Sequence, residues 1–128
     1  MKDPEAGQAL VEMAIVLPIL LLLIIGLIQI GNIYSTSLSM NSLVRDAARS
    51  GVVGASNDAI NQLVETRGVM LAPERLSVAV DPVQETDRRR GQPLTVTINY
   101  SVPINVPVLM NMLPNPFPLQ ASCTMRIE

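Results

Sequence analysis

The sequence predicts an α+β fold, in which one long N-terminal hydrophobic helix is followed by a short helix and a small antiparallel sheet of about three strands. Three observations predict it. No charged residue occurs from Met13 to Val44, and this stretch opens on the nearly unbroken aliphatic run Met13–Ile28. A shorter helical pattern follows near residues 56–71. Beyond it, three segments alternate apolar and polar residues with the period of two that marks half-buried strands.

The run Met13–Ile28 (MAIVLPILLLLIIGLI) falls slightly short of the ~20 residues of a usual bilayer span, and Gln29–Ile33 extend it at interfacial depth. It exceeds the core of a cleaved secretory signal, roughly 7 to 15 residues, and Ser35-Thr36-Ser37 is a poor small-x-small cleavage site. Pro18 removes one helical hydrogen bond inside the run, to the carbonyl of Ala14. It is either a flexible kink that serves assembly or a kink that neighbouring helices tolerate. Past the run the helix is expected to continue to about residue 52. Ile33, Met40, Val44, Ala47 and Ala48 fall on one stripe, Asp46 and Arg49 are spaced to pair, and Gly51 and Gly54 mark the end. From Gln8 to Ser50 such a helix reaches roughly 60 Å, about twice the hydrocarbon thickness of a bilayer, so much of it must protrude.

Ser56–Leu71 reads as the second helix, with Ile60, Leu63, Val64 and Met70 or Leu71 on its apolar side. Ser56, Asn57 and Asp58 offer N-capping oxygens, and Ala72-Pro73 supplies a stop. The three strands are centred on Leu76/Val78/Val80, on Leu94/Val96/Ile98/Tyr100/Val102 and on Leu119/Ala121/Cys123/Met125/Ile127. Burial of one face favours an antiparallel sheet packed on the protruding helix.

Composition bounds what this fold can do. A length of 128 residues leaves room for one domain besides the anchor, and with two Tyr, one Phe and no Trp its core is built from Val, Ile, Leu and Met. The formal charge of −2 carries no sequence-wide basic field, so no nucleic-acid partner is expected. The chain has no His and a single Cys. A Cys/His zinc site, an intrachain disulfide and a His-dependent triad are all excluded. No phosphate-cradling Gly-rich loop or paired carboxylates occur either. No enzyme activity, cofactor, metal or small-molecule substrate is expected. Without disulfides the outer domain must rely on packing and on neighbouring subunits. Cys123, on the apolar face of the last strand, reads as a buried, inert thiol.

Two further segments have two readings each. Arg88, Arg89 and Arg90, between the first two strands, form the dense cationic cluster of the chain: either a solvated hairpin loop or an electrostatic patch for an acidic partner or anionic surface. Pro103–Pro118 (PINVPVLMNMLPNPFP) holds five prolines among Val106, Val108, Leu109, Met110, Met112, Leu113 and Phe117. It is expected to form no regular helix. It either folds over the sheet edge or is buried against another subunit, and subunit contact is preferred because a large exposed apolar patch marks an interface.

The motif that sorts membrane anchors precedes the apolar run. Gly7-Gln8-Ala9-Leu10-Val11-Glu12, a Gly followed after five residues by Glu and then by an apolar helix, resembles the prepilin-peptidase site of type IV pilin-like proteins. A carboxyl group at the edge of an apolar helix is costly in lipid and usually marks function. Together with Val16-Leu17-Pro18 leading into a leucine run and Ala47-Ala48-Arg49-Ser50-Gly51 at the helix end, the segment resembles the TadE-like family of tight-adherence pilus systems. The resemblance implies a pilin-like division: a leader at 1–7, a helix at 8–52 acting as membrane anchor and then filament core, and an extracytoplasmic head at 53–128. It implies a processing site at Gly7 and Gln8, with Gln8 as the new first residue and Glu12 pairing with a neighbouring subunit's free amino group. Other pilin subunits, the prepilin peptidase and the assembly machinery are the implied partners. The implied location is the inner membrane, single-pass, and then the cell surface as part of an adhesive pilus. The leader holds only Lys2 against Asp3 and Glu5, a departure from basic leaders that weakens the positive-inside signal. The competing class is a single-pass membrane protein whose outer domain binds a ligand or scaffolds a secretion complex without entering a filament.

Overall fold

The computed structural model describes residues 4–128; Met1, Lys2 and Asp3 of the expected leader lie outside the described residues. One helix, α1, runs from Pro4 to Val52, 49 residues or roughly 74 Å at the usual rise. It begins four residues before the expected start at Gln8 and stays helical on both sides of Pro18. Gly54, at φ 96, then turns the chain in the left-handed conformation that glycine adopts without steric cost.

Helix α2 spans Asn57–Arg67 and is capped as the sequence leads one to expect, with the Ser56 hydroxyl accepting from the Ala59 N–H at 3.2 Å. It closes earlier than Leu71, at Gly68, whose N–H bonds the Val64 carbonyl. A Cβ on Gly68 would collide with that same carbonyl oxygen. Leu71 consequently turns inward while Met70 stays exposed.

Strands β1 (Leu76–Asp81), β2 (Pro93–Val102) and β3 (Phe117–Arg126) form one antiparallel sheet in the order β1-β2-β3. Strand β2 is central. Leu94, Val96, Ile98, Tyr100 and Val102 are all buried on one face and their neighbours are half-buried, the pattern that period-two alternation prescribes. That face lies on the C-terminal half of α1, where Met40, Leu43, Val44, Ala47, Ala48 and Val52 complete the core with Ile60 and Val64 of α2. Gly51 lets β2 come this close, since a Cβ there would overlap the Leu94 Cδ2 methyl. No buried polar or charged residue occurs among the described residues.

Two local expectations change. Asp46 pairs with Arg67 of α2 at 2.5 Å and so ties the two helices together, where an intrahelical partner in Arg49 was expected. The proline-rich stretch does hold a helix, α3, at Pro107–Met112. Proline is well tolerated in a first helical turn, where its N–H would be unpaired in any case, and six residues separate Pro107 from the next proline at Pro114.

Candidate membrane and assembly surface

The N-terminal half of α1 presents apolar side chains on every side. Leu10, Ile15, Leu23, Leu27 and Ile28 are each at least 60% exposed, and the helix has the length and composition to cross a bilayer. A helix that is apolar all round is stable in water only when something covers it. The C-terminal half of the same helix is amphipathic and carries the head. One element therefore serves two environments, with the change of character falling near Gln29–Ile33.

Gly7, Gln8 and Glu12 all lie within the first turns of α1. The Gln8 side-chain amide donates to Glu12 Oε1 at 3.1 Å, so the four-residue spacing sets the carboxyl group on the same face as residue 8. Glu12 borders a shallow groove with Ala9, Met13, Val16, Leu17 and Leu20. The Gly7–Gln8 peptide bond is thus part of a helix.

The three arginines of the expected patch divide. Arg88 is half-buried, donating to the Ala55 carbonyl at 3.1 Å and to the Asn57 side-chain oxygen, while Asn57 in turn bonds Glu85 and the Val83 carbonyl. Arg88 thereby clamps the β1–β2 loop onto the α1–α2 turn. Arg89 and Arg90 remain exposed. Cys123 is half-buried beside the core rather than fully enclosed. No group of three or more His, Cys, Asp or Glu able to hold a metal occurs among the described residues.

The stretch 103–118 also divides. Ile104 and Val106 are buried apart from the main core, Val106 against the apolar half of α1; Leu109, Leu113 and Phe117 are half-buried, and Val108, Met110 and Met112 face outward. Sequence reasoning missed where this stretch sits. Gln29 of α1 donates to the Pro103 carbonyl at 3.1 Å, a contact 74 residues apart in the chain that brings α3 down beside the apolar half of α1.

Residues 7–49 match the family model described as TadE-like protein, so the assignment suggested by the Gly7–Glu12 motif, the Pro18-containing run and the Ala47-Ala48-Arg49 helix end holds over that segment. No curated protein and no solved structure matches the chain. The family is pilus-related and structural, and the long apolar helix fits a membrane anchor.

Proposed function

We propose that this chain, TadE-like over residues 7–49, is a structural pilin-like subunit of a tight-adherence pilus, held first in the membrane and then in a filament by α1. The observation that carries the reading is the juxtaposition at the start of α1. A glycine at position 7, a carboxyl group at Glu12 and an uncovered apolar helix follow one another at the spacing of pilin-like proteins.

In this reading a prepilin peptidase cuts after Gly7, on the cytoplasmic side. The new amino group then lies one helical turn from Glu12, where Gln8 already bonds it. In the assembled state the amino group of one subunit pairs with Glu12 of its neighbour, which offsets the cost of a carboxyl group among apolar helices. Pro18 leaves the Ala14 carbonyl without its usual intrahelical partner and gives α1 a point of adjustment when it moves from lipid into the filament. Of the expected contact residues, the outward Val108, Met110 and Met112 form the apolar side that a neighbouring subunit covers once assembled, while Leu109, Leu113 and Phe117 are already half-buried within the subunit. The exposed Arg89 and Arg90, and not the clamped Arg88, are left for docking to an acidic partner. Catalysis and cofactors have no place in this account.

Changing Glu12→Leu tests it. The variant should reach the membrane in normal amount while the chain disappears from material sheared off the cell surface. Undiminished variant in the sheared fraction would refute the role of Glu12 in assembly, whereas wild-type and variant chains both confined to membranes would favour a single-pass scaffold, for which an anchor without the carboxyl group serves equally well.

A further inference from the structure

We propose that α3 and its flanking proline turns form an interfacial foot, inserted into the outer leaflet beside α1 while the subunit resides in the membrane; the inference rests on α1 being the membrane anchor. Three observations converge on lipid as the occupant of this surface.

The first is position. Gln29 is the first strongly polar residue after the aliphatic run, and it is bonded to Pro103. The sheet descends along α1 from Leu94, which meets Gly51, to Pro103 at Gln29, and the chain then continues in the same direction. An apolar groove of about 330 Å³ lies between Leu22, Leu23, Gly26 and Leu27 of α1 and Val108 and Leu109 of α3. At the usual helical rise, Leu22 is on the order of 10 Å below Gln29, the depth to which interfacial helices sink. If α1 spans the bilayer at its apolar run, α3 is therefore level with lipid rather than with water.

The second is charge. No charged residue occurs anywhere from Gly91 to Met125, just as none occurs from Met13 to Val44 of the helix alongside. Glu74 and Arg75, both exposed, immediately precede Leu76, which pairs with Tyr100 three residues before Pro103. The surface below that level carries Val108, Met110 and Met112, which are 51%, 45% and 75% exposed, together with the uncharged, exposed Asn105, Asn111 and Asn115.

The third is the backbone, because irregular chain is tolerated at membrane depth only where its polar groups are satisfied by protein. Five of the residues in 103–118 are prolines with no N–H to satisfy. The Pro103 carbonyl accepts from Gln29, and the Ile104 N–H and carbonyl are both taken by the Asn115 side chain, at 3.2 and 3.3 Å. Met110 and Leu113 donate to the Val106 and Leu109 carbonyls at 2.9 Å. The groove offers outer-leaflet acyl chains a seat against Gly26, where α1 has no side chain.

Because the chain has no Trp, single tryptophans report their own depth. The full-length chain would be reconstituted in phosphatidylcholine vesicles whose acyl chains carry bromine, with Trp placed at Met112→Trp, at Ile24→Trp within α1 and at Val83→Trp in the distant β1–β2 loop. All three sites are exposed, so folding is not at stake. The proposal expects Met112→Trp and Ile24→Trp to lose emission severalfold relative to Val83→Trp. If Ile24→Trp is quenched but Met112→Trp stays as bright as Val83→Trp, the anchor stands and the foot is refuted. If none is quenched, both fail. Emission from Met112→Trp that changes only as the protein-to-lipid ratio rises would assign the surface to a second copy of the chain and overturn the lipid assignment.

Discussion

Single residues decide how closely the parts of this molecule approach. Gly51 is one such point. A methyl group there would press on Leu94 Cδ2 and come within 3.2 Å of Ile60 Cδ1, both inside the core. Gly51→Ala is expected to lower the stability of the head by about 1 to 3 kcal/mol, the usual cost of overpacking, measured by thermal unfolding of the full chain in detergent. Asn115 is another, since its side chain pairs with both backbone groups of Ile104. Asn115→Ala should cost about 1 to 3 kcal/mol through unsatisfied backbone groups. By contrast, the Asp46–Arg67 pair has both side chains substantially exposed, at 42% and 61%. Arg67→Ala should therefore shift stability by less than about 1 kcal/mol. At this scale the sequence was legible where chemistry is local. Ser56 caps α2 because a hydroxyl at that position can reach a free N–H three residues on. Arg88 was not legible as a clamp, because its partners Ala55 and Asn57 come from a different part of the chain.

The elements divide by the environment that each side meets. Along β2 the buried residues alternate without a break, so Ile98, fully enclosed, should cost about 2 to 5 kcal/mol when cut to alanine. Leu20→Ala, on the uncovered half of α1, should leave thermal unfolding of the head unchanged in the same detergent, because Leu20 is half exposed and lies outside the core. Equal losses from the two substitutions would mean that α1 and the head share one core along their whole length. All three strands were readable from periodicity, and β1 falls on the residues that alternate, Leu76–Asp81. Helix α3 was not readable. Five prolines argue against regular structure, yet they fall outside the helix or in its first turn, so the six residues from Pro107 to Met112 escape them. Where α3 lies depends on the long-range Gln29–Pro103 contact, which no local pattern carries.

The whole molecule is a covered head built on the outer half of a helix whose inner half is uncovered. The core draws on α1, α2 and the sheet together, so the head and the upper helix unfold as one unit, while the residues before Gln29 wait for lipid or protein to cover them. That division was legible from the aliphatic run Met13–Ile28, since no aqueous fold leaves so long an apolar helix bare without a partner. In the proposed function, the state that follows the membrane depends on processing at Gly7 and Gln8. The most direct measurement is the intact mass and N-terminal sequence of the chain, recovered separately from sheared surface material and from membranes. The account predicts a chain that begins at Gln8 in the sheared fraction. A chain that retains Met1 and is found only in membranes would contradict it.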